Sequence, residues 1–512
     1  MPTAGLTEGL AALSLVTDLG SGFPPEKGLR TCLAALAVAG QAGLDDAELA
    51  DVFQGALLQA LGCTSYATEN AWHFEDDLAF QRAVHTIDPA NPASFDDFGA
   101  WAGPVRAPVL RDHFFAIAAS VGPMATASSC EASRALGAQL GLRAGAIVSL
   151  DHVHERWDGL GIPGTCSGDA LPLSARIVHL AEQAVIAHGS GGVPAALAAV
   201  RQRSGGHLDP GLAALVLADH EPLASALEVR DPLSAVIAAE PPPKARVSLD
   251  ELDRLGEAFA DLADLKCRFT LGHSRGVAWL AAAACALAGL PAEAQMRVRR
   301  AGLVHDVGRT SVSSAIWERD GPLSAGEVDQ VRLHAYWSER VLARTDVLAE
   351  LAPLAGGHHE RLDGSGYHRG VVSAALSRES RILAAADVMH ALREDRPHRP
   401  ARDLDAAARV LTDEARAGRL DPEAVGAVIE AAGAPRPRSS WPADLTDREV
   451  EVIRFAARGL SNKEIASELV ISPRTVQHHL AHVYDKTGRR TRAGTALFAM
   501  EHGLLELRSA RE

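Results

Sequence analysis

The sequence predicts an all-α fold with two duplicated helical domains followed by a small C-terminal domain of four helices. Alanine is abundant in the 512 residues, whereas aromatic residues make up only 4%, a composition that favours helices over sheets. Segments with helical periodicity are separated by glycine and proline, and several of them open on capping boxes. Short motifs of the first half also recur, in the same order, in the second half.

Two proline-containing segments divide the chain. Residues 240–244 include a proline triplet, and residues 433–444 contain three prolines without a hydrophobic period, as expected of a linker. We therefore predict domains over 1–239, 245–432 and 445–512, with a linker at 433–444.

Composition excludes several classes of protein. The longest apolar stretch, 277–290, ends at Pro291 and is shorter than the roughly 20 residues that a membrane helix needs, so we expect no membrane partner. Six cysteines form no C-x-x-C pair, and the N-terminus has no secretory pattern, which predicts reduced thiols and a cytoplasmic location. The net charge of −15 excludes a chain that coats nucleic acid along its whole length.

The last domain contains three helix starts. Capping boxes at Thr446 and Ser461 predict helices over 447–458 and 462–470, and Ser472 before Pro473 predicts a third helix to about residue 487. On that helix the residues with core spacing are Val476, Leu480 and Val483. A tight turn between the second and third helices is typical of a helix-turn-helix. A plain three-helix bundle with a solvated face is the alternative.

The residues LTDREVEVIRFAARGLSNKEIASELVISPRTVQHHLAHVYDKTG resemble the DNA-binding domain of LuxR-type regulators over about 445–505. The resemblance implies that the third helix enters the major groove of double-stranded DNA. It also implies a fourth helix, about 492–505, that makes dimer contacts, so we expect a homodimer. The family's DNA contacts fall on Lys463, Arg474, Thr475 and Lys486, and Gln477 and His478 share the free polar face of the third helix.

The second half carries an ordered set of potential metal ligands. They are His273, His305, Asp306, His334, His358, His359 and Asp387. Each histidine alone has an ordinary explanation as a core or surface residue, but Asp387 lies in the apolar run LAAADV, where an unpaired carboxylate is costly. Together, five histidines and two aspartates suit two divalent ions that share one carboxylate. No cysteine falls in the set, which argues against structural zinc.

Such a site suits phosphoester hydrolysis, because two metal ions lower the pKa of a shared water and neutralise charge on phosphoryl oxygens. The order of motifs over about 248–432 resembles the HD-GYP family, metal-dependent phosphodiesterases that hydrolyse cyclic di-GMP. The resemblance implies that all seven residues bind Fe or Mn ions, with Asp306 bridging them. It also implies substrate contacts from Arg309, Tyr367, Arg396 and Arg399.

Two departures from the family pattern affect these expectations. The family's glycine-tyrosine-proline motif reads Gly366-Tyr367-His368 here. At the position where some members have a glutamate that adds a third metal, this chain has Phe269, so we expect two metal ions.

Three motifs of the first half match the second half. HERWDG at 154–159 repeats HERLDG at 359–364, SARIVHLAEQ at 174–183 repeats ESRILAAADV at 379–388, and GHLDP at 206–210 repeats GRLDP at 418–422. The offsets imply an insertion of about 41 residues in the first copy, within 65–125. Only His154 and Glu182 retain possible ligand chemistry, so the first copy is predicted to bind no metal. Chance alignment of alanine-rich helices is the alternative.

These observations predict a cytoplasmic bacterial signalling protein that combines metal-dependent hydrolysis of a phosphodiester with sequence-specific DNA binding. Cyclic di-GMP is the expected substrate. One alternative is a nucleotide-responsive LuxR-type regulator with little or no turnover. The other is a phosphohydrolase that acts on another nucleotide.

Overall fold

Helices form the regular structure throughout the part of the chain that the computed structural model describes, and that part contains no β-strand. The described residues are 5–87, 113–434 apart from 115, 118–119 and 245–247, 441–489 apart from 458–459, and scattered positions between 491 and 504. None of the described helices is long and apolar enough to cross a bilayer. The predicted all-α class is confirmed.

The first half contains eleven described helices, and the insertion predicted within 65–125 supplies two short ones, α4 and α5. Residues 88–112 of that insertion lie outside the described part. The helices are α1 (Leu6–Gly20), α2 (Lys27–Gln41), α3 (Asp46–Leu57), α4 (Ala67–Phe74), α5 (Asp77–Val84), α6 (Gly122–Gln139), α7 (Ala144–Leu150), α8 (Leu173–Arg203), α9 (Pro210–Ala218), α10 (Glu221–Leu227) and α11 (Pro232–Ala238).

The second half contains ten described helices, with a short 3₁₀ turn at Val307–Ser311 between two of them. The helices are α12 (Leu249–Asp264), α13 (His273–Leu287), α14 (Ala292–Val304), α15 (Ser314–Trp317), α16 (Ala325–Leu342), α17 (Asp346–Ala349), α18 (Ala352–Gly356), α19 (Arg378–Leu392), α20 (Leu404–Arg416) and α21 (Pro422–Ala431).

The C-terminal unit has three described helices that begin at the predicted caps: α22 (Asp447–Ala457), α23 (Asn462–Glu468) and α24 (Pro473–Thr487). Ser461 and Glu464 form the reciprocal hydrogen bonds of a capping box, and Ser472 caps α24 by accepting from the amide of Thr475. The predicted core residues of α24 are buried, namely Val476, Leu480 and Val483. The fourth helix predicted at about 492–505 lies largely outside the described residues.

The two halves repeat the same local contacts at the start of their second helices. Lys27 begins α2 and His273 begins α13, and in both cases the residue before has a left-handed φ. The carboxylate of Asp18 accepts a hydrogen bond from the amide of Gly28 at 3.0 Å. The carboxylate of Asp264 accepts from the amide of Ser274 at 2.9 Å. Both carboxylates satisfy an amide that the helix itself leaves unpaired.

A second pair of matched contacts surrounds the repeated HER motif. Glu155 accepts hydrogen bonds from the backbone of the loop at 164–165, and Glu360 does the same for the loop at 369–371. An ion pair of 2.8 Å joins Arg176 to Asp209, and its counterpart of 2.9 Å joins Arg381 to Asp421. These matched contacts favour the predicted duplication.

The halves do not form separate domains, however, because one hydrophobic core runs through both. The chain divides into two compact units, residues 1–434 and 435–512. Within the first unit, α1 packs against the 3₁₀ turn at Val307–Ser311, where the hydroxyl of Thr310 donates to the carbonyl of Val16 at 3.3 Å. The predicted boundary at 240–244 is therefore a junction inside one unit, whereas the second unit begins at residue 435, within the predicted linker at 433–444.

The insertion of the first half is anchored in the second half by a buried ion pair. The side chains of Asp77 and Lys266 are fully buried and in contact. The same carboxylate accepts hydrogen bonds of 2.8 Å from the hydroxyl of Ser313 and from the amide of Ser314. These partners satisfy the charge of Asp77 at a place where water is excluded.

Replacing Asp77 with alanine should leave the ammonium group of Lys266 buried without its counter-ion. We expect the free energy of unfolding of the first unit to fall by about 3–5 kcal/mol, measured by urea denaturation of the full chain. Arg254→Ala, which removes an exposed 3.6 Å ion pair with Glu251, is the control and should change the value by at most about 1 kcal/mol. Equal losses in the two variants would contradict this role of Asp77.

Candidate metal centre

The predicted ligands converge where several segments of the second half meet. His273 begins α13, the pair His305 and Asp306 follows α14, and the remaining four come from α16, the end of α18 and α19. His359 is partly exposed. The other six are buried, namely His273, His305, Asp306, His334, His358 and Asp387.

The ligand atoms form two adjacent groups. Within each group, the candidate ligand atoms all lie within 4.8 Å of one another. The first group contains His273, whose Nε2 is 3.2 Å from Oδ1 of Asp387, together with His305. The second group is made by His334, His358 and His359.

Asp306 lies between the two groups and turns one carboxylate oxygen to each. Its Oδ2 is 3.5 Å from Nε2 of His305 and 3.7 Å from Nε2 of His273. Its Oδ1 is 3.4 Å from Nε2 of His334 and 3.5 Å from Nε2 of His358. Oδ1 of Asp306 and Nε2 of His305 are buried, and no described residue makes a hydrogen bond with either. Buried polar atoms of this kind require a partner, and imidazole and carboxylate donors suit a divalent ion.

Hydrogen bonds to the opposite ring nitrogen orient three of the histidines. Nδ1 of His305 pairs with the carbonyl oxygen of Gly302 at 2.8 Å. Nδ1 of His334 and of His358 pairs with a carbonyl oxygen three residues earlier, each at 2.5 Å. When Nδ1 donates to a carbonyl, Nε2 carries the lone pair that a metal ion requires.

Glu394 is a residue of the centre that the sequence analysis missed. Its Oε2 lies 2.9 Å from Nδ1 of His273, so the carboxylate orients this imidazole as metal-bound histidines are commonly oriented. Its only signal in the sequence is a spacing of seven residues, two helical turns, from Asp387. Glu394 also pairs with Arg396 at 2.7 Å.

The electrostatics of the centre suit a cation. Burial lowers the pKa of His305 to about 4 and that of His334 to about 3, so both are neutral at pH 7. Burial opposes the charge of Asp306, but His305 and Arg309 hold the pKa of this carboxyl well below its usual range. Burial also opposes the charge of His273, yet hydrogen bonds to Asp387 and Glu394 raise its pKa to about 10. The raised pKa of His273 reflects the negative charges of Asp387 and Glu394 beside it.

Gly308 allows the turn after Asp306 to approach α16 closely. A Cβ atom at this position would lie 2.0 Å from the carbonyl oxygen of His334 and 2.6 Å from the amide nitrogen of Ser338. Both atoms belong to the backbone of the helix that carries a ligand. The absence of a side chain at Gly308 therefore allows the turn after Asp306 to lie against the helix that carries His334.

Of the predicted substrate contacts, Arg309 and Tyr367 lie at the centre. A nitrogen of the Arg309 guanidinium is 3.3 Å from Oδ2 of Asp306, and the group lies 3.8 Å from the centroid of the Trp317 ring. The ring of Tyr367 is 4.7 Å from that of His359, centroid to centroid, and burial raises the pKa of its phenol.

The structure gives Arg396 and Arg399 a different role from the predicted phosphate contacts. Arg396 donates to the carbonyl of Phe269 at 2.5 Å and to Glu394. Arg399 donates to the carbonyls of residues 391, 392, 394 and 400. Both guanidinium groups thus hold the loop after α19, because backbone oxygens and, for Arg396, the carboxylate of Glu394 accept from their donors.

Comparison with known proteins agrees with this geometry. The model of the HD domain family matches residues 257–424, and that of the luxR family of bacterial regulatory proteins matches residues 443–499. This chain is an HD-domain protein with a luxR-family domain. Both family predictions are confirmed, and so is the enzyme class, a metal-dependent phosphodiesterase.

Two relatives and one solved structure describe the similarity further. The 3'3'-cGAMP-specific phosphodiesterase 3 of Vibrio cholerae is 29% identical over 443 residues, which cover 84% of this chain and 95% of the relative. The cyclic di-GMP phosphodiesterase response regulator RpfG of Xanthomonas campestris is 35% identical over 28% of this chain and 38% of its own length. The crystal structure of a cyclic GMP-AMP-specific phosphodiesterase of V. cholerae has a TM-score of 0.57 at 24% identity, covering 84% of this chain and 97% of that one, and shares the fold.

In the first half, a lysine–glutamate contact replaces a histidine–aspartate contact of the HD domain. Lys27 and Glu182 correspond by register to His273 and Asp387, and their side chains are likewise in contact. Burial opposes the charge of Glu182, but Lys27 and His85 lower its pKa to about 2. The described His/Cys/Asp/Glu groups with metal-ligand geometry all lie between residues 273 and 394.

The luxR-family domain presents most of the predicted DNA contacts on its surface. Thr475 is partly buried beside its cap, Ser472. The exposed residues are Lys463, Arg474, Gln477 and His478.

Lys486 differs from its predicted role as a DNA contact. Its ammonium group lies 2.7 Å from Oε2 of Glu449 and 2.9 Å from the carbonyl oxygen of Asp444. The side chain of Glu449 is only 3% exposed, so Lys486 neutralises a buried carboxylate. We therefore assign Lys486 to the stability of this domain.

Gly308→Ala should displace the backbone at His334 and weaken metal binding about 10- to 100-fold, the range seen when ligand orientation is lost. Metal affinity is measured by titration of the full chain with Mn²⁺. Gly62→Ala is the matched control in the first half, because a Cβ there would lie 2.0 Å from the carbonyl oxygen of Ser129. Unchanged metal affinity in Gly308→Ala, or an equal loss in the control, would contradict the role given to Gly308.

Proposed function

We propose that the HD domain hydrolyses a phosphodiester bond of a 3',3'-linked cyclic dinucleotide, using two divalent ions. The observation that carries this proposal is Asp306, whose two oxygens face separate groups of ligand atoms. His273, His305 and Asp387 would hold one ion, and His334, His358 and His359 the other. The pKa values of His305, His334, Asp306 and Asp387 are lowered, so these groups are unprotonated at pH 7 and can bind a metal ion. Phe269 occupies the position at which a carboxylate would be needed to bind a third ion.

The chain's own residues organise the reaction around these ions. Bound divalent ions would supply Lewis-acid activation of water and neutralise phosphoryl charge. Arg309, stacked on Trp317 and paired with Asp306, presents a positive group at the same place. Its Nε atom is buried, and no described residue accepts a hydrogen bond from it. A phosphoryl oxygen is the acceptor that suits this group.

The names of two relatives indicate two candidate substrates. Cyclic di-GMP is the substrate that the sequence predicts, and it is also named for the Xanthomonas relative. Cyclic GMP-AMP is given by the name of the Vibrio relative that aligns over 84% of this chain. Because that alignment includes the first half, we propose cyclic GMP-AMP as the first substrate to test and cyclic di-GMP as the second.

The first half is proposed to be a duplicated copy of the HD domain without metal. The ammonium group of Lys27 supplies a positive charge to Glu182, so this carboxylate is neutralised without an ion. In this copy, the ammonium group of Lys27 therefore provides the positive charge that a metal ion would provide.

The full chain, loaded with Mn²⁺ or Fe²⁺, should linearise cyclic GMP-AMP, with products separated by chromatography. Asp306→Asn should lower turnover by about 100-fold or more, since it removes charge from both ligand groups, and it should release metal measured by atomic emission. Wild type should hold two ions per chain.

The control for this experiment is the double variant Lys27→Met with Glu182→Gln, which removes both charges of the first half together. It should keep both ions and wild-type turnover. An ion lost from the double variant would contradict the metal-free first half. Tight binding of cyclic dinucleotide by wild type without turnover would instead support the alternative of a nucleotide-responsive regulator, which the luxR-family domain favours.

We also propose that the luxR-family domain binds double-stranded DNA as a dimer through α24. The exposed polar face of this helix carries Arg474, Gln477 and His478, while its other face is buried. This division suits a helix that enters the major groove. Helix-turn-helix domains commonly bind operators with two-fold symmetry as dimers, and we therefore propose a dimer here.

Arg474→Ala should weaken binding to duplex DNA and reduce the slope of log affinity against log salt by about one, as expected for one lost phosphate contact. Fluorescence anisotropy at several salt concentrations measures both quantities. Lys486→Ala should instead destabilise the C-terminal unit by about 1–3 kcal/mol, because Glu449 loses its partner. A reduced salt slope in Lys486→Ala without loss of stability would instead support the predicted contact of Lys486 with DNA.

A further inference from the structure

An arginine packs over two aromatic rings at the junction of the two halves. Trp72 belongs to α4, in the insertion of the first half, and its side chain is 59% exposed. The guanidinium carbon of Arg268 is 5.1 Å from the centroid of the Trp72 ring and 4.8 Å from that of Phe269. The two halves of the chain thus build one surface of planar groups.

This stack is held in place by a buried carboxylate. Glu318, whose side chain is 4% exposed, accepts from the backbone amide of Arg268 at 3.0 Å and pairs with its Nε at 3.2 Å. The hydroxyl of Thr68, one turn before Trp72 on α4, donates to the same carboxylate at 2.9 Å. One residue therefore fixes both Arg268 and the helix that carries Trp72.

The stack is also connected to the metal centre through a short series of contacts. The carbonyl of Phe269 accepts from Arg396, Arg396 pairs with Glu394, and Glu394 orients His273. A cleft of about 460 Å³ opens beside Phe269. Its lining includes Asp320, Asp395, Arg396 and His398.

We propose that Trp72, Arg268 and Phe269 form a stacking subsite for a purine base of the substrate. This inference rests on the proposed hydrolysis of a cyclic dinucleotide and identifies what holds one of its two bases. Aromatic rings and guanidinium planes are the groups on which proteins stack unpaired bases. Trp72 remains largely exposed although one contact holds its ring against Arg268.

The cleft has the size and the polar groups that this ligand requires. Its volume is within the range of small-molecule sites, about 300–1,000 Å³. The carboxylates of Asp320 and Asp395 in its lining are acceptors for the N–H groups of a purine edge. Because Trp72 comes from the inserted segment, the first half contributes to substrate affinity although it holds no metal.

The test is a comparison of KM and kcat for cyclic GMP-AMP and cyclic di-GMP in the full-length, metal-loaded protein. Trp72→Ala should raise KM about 5- to 100-fold, the range given by loss of one base stack, and should leave kcat near its wild-type value. Trp72→Phe should restore most of the affinity. Trp279→Ala is the matched control, because Trp279 is similarly exposed, at 65%, and should leave KM unchanged.

The outcomes separate this inference from the function on which it rests. Hydrolysis of bis(4-nitrophenyl) phosphate by wild type without hydrolysis of either cyclic dinucleotide would overturn the proposed substrate class. Hydrolysis of a cyclic dinucleotide with a wild-type KM in Trp72→Ala would overturn the stacking subsite alone. A fall in kcat at unchanged KM would also overturn it, since that result would assign Trp72 a role in positioning the centre.

Discussion

The burial of Asp306 between two groups of imidazoles is the constraint on which the rest of the structure depends. Burial of a carboxylate and several neutral imidazole rings away from water is unfavourable unless a cation binds to them. The surrounding helices therefore have to meet with their ligand atoms already oriented. The carbonyl contacts of three Nδ1 atoms, the carboxylate of Glu394 and the close approach at Gly308 all serve this one requirement.

The first half belongs to the same arrangement although its own ligand positions have changed. Its helix α1 supports the turn that follows Asp306, and Asp77 neutralises Lys266 a few residues before His273. Both contacts act on segments that carry ligands. The first half thus contributes rigidity to the metal centre of the second half, and its helix α4 brings the ring of Trp72 against Arg268 of the second half.

The sequence predicted features that depend on local spacing and missed those that depend on tertiary contacts. Capping boxes, the core residues of α24 and the seven candidate ligands are recognisable because each motif is short and ordered. Glu394 lies in a short segment of mixed charge, REDRPHR, and only the fold brings it to His273. Lys486 resembles a DNA contact until its proximity to Glu449 is known. The junction at 240–244 has the composition of a linker, but a core shared by both halves cannot be seen in composition.

The shared core has a consequence for how such a protein can change over time. The luxR-family domain is a separate compact unit, so recombination near residue 434 can exchange it for another output module. Residues 1–434 contain no comparable boundary at 240–244, because a break there would expose apolar surface on both halves. The first half carries the contacting pair Lys27 and Glu182 at the positions where the second half has His273 and Asp387. Its helices must persist for as long as the second half is to keep its shape.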